Sequence, residues 1–340
     1  MVTINCYRTY GDSFGDYCRF RGMDVKHYSP FDHPSSMFQS KKEIFMMESV
    51  AWIKLILHLP LLHNRITFCT GNQLSVMAIY KIFKLLLGPK RKSHLYIYNF
   101  YLHGLSRNKF VKRVMSFLLD NDRITLICQS PNEIHYYRAL SSKCSLEFVP
   151  YSSDFIPEST DSIDQRIKYR DYCFSGGYTN RDYELIGKLA KRHSDRLFVI
   201  VASSLNANVS EFPENLIVLK DIERDMFEKY LSNSSCVIVA LKEDVGSSGQ
   251  MLSISAMRNK KPIIYTDVEA VNYYFEKDCG YPYKIGDMES LDNAYRNVFS
   301  NYEEALRKGQ IAYNNSQNFT IKNCNKKLFE IISKDLNNKD

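Results

Sequence analysis

Residues 171–202 have the sequence DYCFSGGYTNRDYELIGKLAKRHSDRLFVIVA, and this stretch decides how the second half of the chain folds. A short apolar strand is predicted over 172–175, where a glycine pair ends it, and a helix with one apolar face over 181–192. The continuous, β-branched run 197–202 is typical of a strand that is buried on both faces. A strand, a helix and a strand in this order predict a βαβ unit and a parallel sheet.

The same alternation continues through the second half of the chain. Further strands are predicted at 216–219, 236–240 and 262–266, and further helices at 223–232, 249–259 and 290–299. Short apolar runs that alternate with amphipathic segments predict one doubly wound α/β domain.

The first half of the chain has weaker turn signals but the same kind of pattern. Strands are predicted at 2–6, 65–69, 95–98 and 124–128, with helical segments such as 74–87 between them. The apolar rhythm stops near 149–169, where proline and polar residues replace it. We therefore expect an α/β fold of two Rossmann-like domains, 1–155 and 170–322, facing each other across a cleft. A last helix, within 323–340, is placed to pack back on the first domain.

Charge is spread unevenly along the chain. The sequence has 45 Lys and Arg residues against 38 Asp and Glu, a net charge of +7. Residues 49–119 hold eleven of the basic residues and no acidic residue, which leaves 34 basic and 38 acidic residues elsewhere. Because apolar and aromatic residues are interleaved with these cations, the block suits an anionic membrane surface, where each cation adds roughly 1 kcal/mol of attraction. A solvated basic face is the plainer alternative, and we expect no nucleic acid partner.

Cysteine usage and hydropathy favour the cytoplasm. The nine cysteines are scattered, without a C-x-x-C pair or zinc-ligand spacing, which is typical of reduced thiols and predicts no metal site. The sequence begins without the basic and apolar regions of a secretory signal. The longest apolar run, 50–62, carries Lys54 and His58 and is too short to span a bilayer. We expect a cytoplasmic protein that the basic block holds peripherally at the inner membrane face.

Two glycine turns mark the place where a ligand is expected. Residues 175–181 (SGGYTNR) and 243–250 (EDVGSSGQ) each connect a predicted strand to a helix, and each has a cation beside it, Arg181 and Lys242. At such turns backbone N–H groups and a helix N-terminus face an anion, although a single glycine turn is usually a tight connection. The pair predicts a pocket for a diphosphate that is neutralised without a metal. The expected binding residues are Gly176, Gly177, Glu243, Ser248, Gly249 and Gln250.

Three stretches of the second half carry a family resemblance. FSGGYTNRDYELIGKLAK (174–191), VIVALKED (237–244) and SSGQMLSISAMRNKKPIIYTD (247–267) resemble the donor-binding domain of GT-B fold glycosyltransferases, in particular the retaining enzymes of glycosyltransferase family 4. Residues 95–110, 124–137 and 148–154 of the first half resemble the family less closely. The resemblance implies a hexosyltransferase of bacterial surface polysaccharide biosynthesis. It would move a sugar from a nucleotide-diphosphate sugar, with a UDP-sugar favoured, to a glycan or lipid-linked acceptor, without a further cofactor.

The resemblance also implies site roles by position. It places the donor diphosphate against two cations and two backbone groups, those of Arg181, Lys242, Gly249 and Gln250. His103 would face the sugar and orient it, because in a retaining front-face route the leaving phosphate itself accepts the proton of the acceptor hydroxyl. An inverting enzyme would instead need a base from the first domain. The candidates are Asp12, Asp16 and Glu133.

The chain departs from the family at the E-x7-E pattern. The second glutamate of that pattern, a ribose contact in the family, falls at Ser255, and the first falls at 247–248. Glu243 or Asp244 is expected to substitute.

Two other function classes fit these residues. A sugar-nucleotide epimerase of the same fold would have carboxylates in its cleft and no membrane-facing basic block. A non-catalytic nucleotide- or polyanion-binding module would keep the cations without the chemistry. Plainer roles also stay open for the three catalytic candidates: a structural hydrogen-bonding group for His103, a solvated surface residue for Arg181 and a strand-end lysine for Lys242.

Overall fold

The computed structural model describes residues 3–7, 13–28, 53, 66–71, 74–87, 93–100, 109–154, 167, 171–203, 212–244, 246–275 and 278–337. The chain forms two compact units, one made of Met1–Pro150 with Cys324–Asp340 and the other of Tyr151–Asn323. Each unit is built on a six-stranded sheet whose strands pair in parallel. The expected class, an α/β fold with two Rossmann-like sheets, is therefore confirmed.

The first unit has its strands in the order β2-β1-β3-β4-β5-β6. In chain order its elements are β1 (Thr3–Tyr7), α1 (Ser13–Phe20), β2 (Asp24–Tyr28), β3 (Ile66–Thr70), α2 (Leu74–Leu87), β4 (His94–Tyr98), α3 (Lys109–Leu119), β5 (Ile124–Cys128), α4 (Pro131–Leu140) and β6 (Ser145–Phe148). The sequence predicts the four inner strands to within one residue and misses β2 and β6. These two strands form the edges of the sheet, where one side is open and no continuous apolar run is needed.

The second unit has its strands in the order β12-β11-β10-β7-β8-β9. Its elements are β7 (Tyr172–Gly177), α5 (Tyr183–Arg192), β8 (Leu197–Ala202), β9 (Leu216–Lys220), α6 (Arg224–Ser232), β10 (Cys236–Val239), α7 (Gln250–Arg258), β11 (Ile263–Thr266), α8 (Glu269–Asn272), β12 (Tyr281–Tyr283), α9 (Met288–Ser300) and α10 (Tyr302–Ser316), followed by α11 (Ile321–Asn337). All five predicted strands are present. The glycine pair does not end β7, because Gly176 and Gly177 still pair with Val201 and Ala202 of β8.

The core of the second unit covers both faces of its sheet. Phe174 and Val199 belong to the apolar cluster on one face, whereas Cys173 and Phe198 belong to the cluster on the other. All six residues of β8 are buried, as the continuous apolar run predicts.

The strand order of the second unit defines where a ligand belongs. The chain runs from β7 outward through β8 to β9, then returns to the other side of β7 and runs outward again from β10 to β12. Strands β7 and β10 are hydrogen-bonded neighbours at this reversal. In open α/β sheets such a switch point leaves a crevice beyond the carboxyl ends of the two strands, and that is where ligands bind.

The last helix, α11, packs on the sheet of the first unit. Cys324, Leu328 and Ile332 recur every four residues and are buried in one cluster with Ile4 and Phe68. The last helix of the chain is therefore part of the core of the first unit.

None of the nine cysteines, all of which lie in described parts of the chain, forms a disulfide. Within the described ranges there is no group of three or more His, Cys, Asp and Glu residues that could hold a metal ion. No described helix combines the length and the hydropathy that crossing a bilayer requires.

Candidate functional site

The two glycine turns lie side by side at the carboxyl edge of the second sheet. Arg181 and Leu241 form an antiparallel backbone bridge. On either side of it, the Asp182 N–H donates to the Ala240 carbonyl (3.1 Å) and the Lys242 N–H donates to the Asn180 carbonyl (3.3 Å). The turns after β7 and β10 thus form one continuous wall at the switch point.

Asn180 holds the two turns together with its side chain. Its Nδ2 donates to the Glu243 carbonyl at 2.7 Å, and its Oδ1 accepts from the Glu243 N–H at 3.1 Å. Its backbone is left-handed, with φ of 55°, a conformation that Asn adopts more readily than most residues. Sequence reasoning missed this role, although an Asn three residues beyond a glycine pair is a recognised turn signal.

Arg181 is buried and fills the first turn with its own guanidinium group. Its Nε donates to the Gly176 carbonyl and its Nη1 to the Thr179 carbonyl, both at 2.8 Å. A Cβ at Gly177, whose φ is +132°, would lie 2.5 Å from the Arg181 Nε and Nη2, so only glycine leaves room for this guanidinium. The guanidinium group keeps its positive charge at the sheet edge, where an anion would complement it.

The helix after the first turn begins later than predicted. The predicted start at Arg181 is wrong: α5 begins at Tyr183, and the Asp182 carboxylate caps it by accepting from the Leu185 N–H at 3.0 Å. Asp182 is a favoured N-cap residue, and the bridge to Leu241 keeps Arg181 extended. The Tyr183 hydroxyl donates to the Gly177 carbonyl at 2.6 Å, which fixes the turn from the helix side.

Lys242 and Arg181 make different side-chain contacts. Successive residues along an extended chain point to opposite sides, and Leu241, not Lys242, is the residue opposite Arg181. The half-exposed Lys242 side chain places its Nζ 4.0 Å from Glu184 Oε1, at the first turn of α5. The structure therefore joins the two turns through their backbones, while the two cationic groups contact different partners.

The second turn ends in the N-terminus of α7. Gly249 precedes the helix with φ of +88°, and a Cβ there would lie 3.0 Å from Val271 and 3.1 Å from Val239. Gln250, the first residue of α7, is buried behind it. The first N–H groups of a helix lack partners within the helix and carry the positive end of its dipole. This N-terminus is oriented by a glycine that no other residue replaces without strain.

Two buried hydroxyl groups flank the turns. Ser175, on β7, and Ser248, just before Gly249, are almost fully buried. Within the described part of the chain neither Oγ atom has a hydrogen-bond partner. Leaving such a group without a partner costs about 1–3 kcal/mol, so each hydroxyl has the capacity to bond a ligand or a water molecule.

A carboxylate lies beside Ser255, but it comes from another helix. Glu228 on α6 is 1% exposed, and its Oε1 accepts a hydrogen bond from the Ser255 Oγ at 2.7 Å. Burial raises the pKa of Glu228 above its ordinary value, while Ser255 and the guanidinium groups of Arg224 and Arg258 oppose that shift. A contact between residues 27 positions apart, on two helices, leaves no local signal in the sequence.

Glu243 and Asp244, the two carboxylates expected to substitute, contact other parts of the chain, and their role at the ribose stays a prediction. Glu243 is half-buried, with its backbone held by Asn180, and the exposed Asp244 accepts from the Glu269 N–H at 3.5 Å. Among the described residues, Glu228 is the carboxylate that contacts Ser255.

Known proteins match this chain in structure and not in sequence. No protein-family model matches it, and no curated protein matches its sequence. A sucrose-phosphate synthase from Thermosynechococcus elongatus matches with a TM-score of 0.73 and 12% identity over 98% of this chain and 99% of that one. HepE from Anabaena, solved with UDP-glucose, matches with a TM-score of 0.68 and 10% identity over 98% and 100%. A glycosyltransferase from Rickettsia africae matches with a TM-score of 0.65 and 12% identity, over 99% of this chain and 99% of that one.

The chain has a GT-B fold. At 10–12% identity these matches show the fold alone. Membership of glycosyltransferase family 4 stays a prediction from the motifs of the second half.

In this GT-B chain, four site residues were predicted in the first unit, and the structure describes two of them. His103 and Asp12 lie outside the described residues. Asp16 is exposed on α1 and forms an ion pair with Arg19 at 2.6 Å. Glu133 is buried and accepts from the Gln129 and Ser130 N–H groups at 2.8 and 3.3 Å. Glu133 therefore caps α4, which is a structural role.

Proposed function

We propose that this chain is a glycosyltransferase that moves a sugar from a nucleotide-diphosphate sugar, with a UDP-sugar favoured, to an acceptor hydroxyl. The observation that supports it best is the pairing of two glycine turns at the switch point of the second sheet. This pairing puts a buried arginine and a helix N-terminus at one sheet edge. HepE, which shares the fold, was solved with UDP-glucose, and that observation agrees with the same kind of donor.

The donor diphosphate would bind across both turns. Arg181 supplies the fixed positive charge, the N–H groups of Gly249 and Gln250 supply donors at the start of α7, and the Ser248 hydroxyl supplies another. Lys242 joins them only by turning away from Glu184. Because these groups neutralise a departing diphosphate, we propose a metal-independent reaction without a further cofactor.

The nucleoside ribose would bind to Glu228. In the family that the motifs resemble, a glutamate at the position of Ser255 contacts the ribose. Here the Ser255 hydroxyl is directly bonded to the Glu228 carboxylate, so that carboxylate lies one hydrogen bond from the same place. A carboxylate accepts hydrogen bonds from neighbouring sugar hydroxyls. Burial raises the pKa of Glu228, and Arg224 and Arg258 oppose that shift.

The transfer step that we propose retains the configuration of the sugar. The bond between the anomeric carbon and the diphosphate oxygen breaks as the acceptor oxygen attacks from the same face. The leaving phosphate oxygen takes the acceptor proton, so no separate base is needed, and His103 orients the sugar. We propose that the acceptor is a glycan or a lipid-linked molecule of bacterial surface polysaccharide biosynthesis. The reaction would take place at the cytoplasmic face of the inner membrane.

Ligand-dependent stability, followed by product analysis, tests this function. UDP should raise the melting temperature saturably, by the equivalent of about 2.7 kcal/mol at a hundred times its dissociation constant. Incubation with a panel of UDP- and GDP-sugars, with and without EDTA, should then release nucleoside diphosphate and glycosylate an acceptor. An epimerised donor with no released diphosphate would identify an epimerase. Stabilisation by long polyanions alone would identify a binding module, and either result would overturn the proposal.

A further inference from the structure

Helix α3 (Lys109–Leu119) presents three different faces. Its buried face packs Met115, Leu118 and Leu119 into the core of the first unit. A second face is apolar and yet exposed to solvent: Phe110 is 72% exposed, Val114 38% and Phe117 56%. These residues are spaced i, i+4 and i+7, so they lie on one side of the helix, and we call them the apolar stripe.

The third face of α3 is basic. Lys109, Lys112 and Arg113 are all exposed, and at helical spacing Lys109 and Arg113 lie next to the apolar stripe. The helix thus carries cations beside exposed aromatic rings, which is the composition of a helix that lies in a membrane interface. An exposed face with aromatic side chains and cations indicates an interaction site, and the matching partner has both an apolar and an anionic part.

The neighbouring acidic groups do not reverse this charge. Asp120, directly after α3, is 2.8 Å from the Lys143 Nζ and 3.5 Å from the Lys81 Nζ. The Lys81 Nζ also lies 4.7 Å from the centre of the Phe117 ring, so a further cation adjoins the apolar stripe. In the sequence, residues 49–119 carry eleven cations and no acidic residue.

We infer that α3 is a membrane-docking helix, and that its partner is a bilayer surface containing anionic lipids. The apolar stripe enters the boundary between headgroups and acyl chains, and Lys109, Lys112 and Arg113 contact the lipid phosphates. The charge of the surrounding block favours a lipid surface over an uncharged protein partner, and the exposed rings favour it over nucleic acid, which offers no apolar layer. The surface holds the protein at a membrane whether or not the transfer reaction proceeds.

Vesicle binding by the full chain tests the inference. Co-sedimentation should be strong with phosphatidylcholine vesicles that contain about 30% phosphatidylglycerol and at least about tenfold weaker with phosphatidylcholine alone. The triple variant Phe110→Ser, Val114→Ser and Phe117→Ser should bind the anionic vesicles at least about tenfold more weakly. The variant Lys109→Glu, Lys112→Glu and Arg113→Glu should lose the preference for anionic lipid.

Matched controls separate this surface from general effects of charge and hydrophobicity. Lys322→Glu, Lys326→Glu and Lys327→Glu reverse three exposed charges on α11. Phe20→Ser and Leu306→Ser remove exposed apolar side chains on α1 and α10. Both control variants should bind anionic vesicles within about twofold of the parent chain, and circular dichroism should show that every variant is folded.

Three results would overturn the inference. They are equal binding to neutral and anionic vesicles, control variants that weaken binding as much as the α3 variants, and binding to single-stranded nucleic acid with no binding to vesicles. The assay contains neither donor nor acceptor, so its failure leaves the proposed transferase intact. Conversely, a chain that binds vesicles and releases no nucleoside diphosphate would reject the function and keep the membrane surface.

Discussion

The two glycine turns of the second unit look alike in sequence and are built differently. In the first, Gly177 leaves room for the guanidinium of Arg181, which bonds the carbonyls of its own turn. In the second, Gly249 is a left-handed cap packed against two valines, and α7 begins directly after it. A glycine near a cation after a strand therefore marks either a turn filled by its own arginine side chain or the N-terminus of a helix. The second kind is the stronger anion site, because its donors have no partners within the helix.

The largest effect should come from adding a methyl group at Gly249 in the second turn, which should lower the stability of the fold. Gly249→Ala combines a positive φ with contacts of 3.0 and 3.1 Å to valine side chains. The free energy of unfolding should fall by about 2–4 kcal/mol, measured by urea denaturation. Gly286→Ala is the matched control. Gly286 also has a positive φ, +68°, but a Cβ there would have no atom within 4 Å, so this variant has the backbone strain without the side-chain contacts. Equal losses in the two variants would show that the valine contacts carry no weight.

The next effect compares the two cations. Arg181→Ala should lower kcat/KM for the sugar donor by about 100-fold, because it removes a fixed charge at the anion site. Lys242→Ala should lower it by less than about tenfold, because this lysine is half-exposed and pairs with Glu184. Arg307→Ala, at an exposed ion pair on α10, serves as the control. Similar losses at residues 181 and 242 would mean that both cations reach the donor together.

A third prediction asks which carboxylate binds the ribose. Glu228→Ala should raise KM for the donor by about tenfold with a smaller change in kcat, because it removes a charged acceptor from ground-state binding. Adding Ser255→Glu to that variant should restore much of the affinity, since it returns a carboxylate to the same place from α7. Glu243→Gln and Asp244→Asn are the controls. A rise in KM for those two, with none for Glu228→Ala, would restore the expectation drawn from the sequence.

The smallest effect is on the pH dependence of stability. Burial raises the pKa of Glu228 from 4.5, so the folded chain favours its protonated form. The contribution of Glu228 to stability is therefore complete below pH 4.5 and is lost as the pH rises through the higher folded-state pKa. Glu228→Gln, which imitates the protonated form, should gain stability relative to the parent chain over this range. Urea denaturation at a series of pH values checks it, and a difference that stays constant with pH would contradict it.

Much of the fold could be predicted because its signals are local. The strands at 197–202 and 263–266 are largely continuous apolar runs, since a central parallel strand is buried on both faces. Sequence patterns do not reveal β2 and β6, because these strands lie at the edges of the sheet. An edge strand needs no continuous apolar run, and β2 has the largely polar sequence DVKHY. The start of α5 was misplaced because a backbone bridge to Leu241, sixty residues away along the chain, keeps Arg181 extended.

By itself the sequence determined the class of the fold, the two glycine turns and the block of unbalanced positive charge. Each of these depends on neighbouring residues, whose conformational and hydrophobic preferences act over a few positions. Only the tertiary structure decided that the turns are joined through Asn180, that Lys242 points to Glu184, and that Glu228 lies beside Ser255. These contacts join residues that chain topology brings together. Their energies come from packing and hydrogen-bond geometry, which no local pattern encodes.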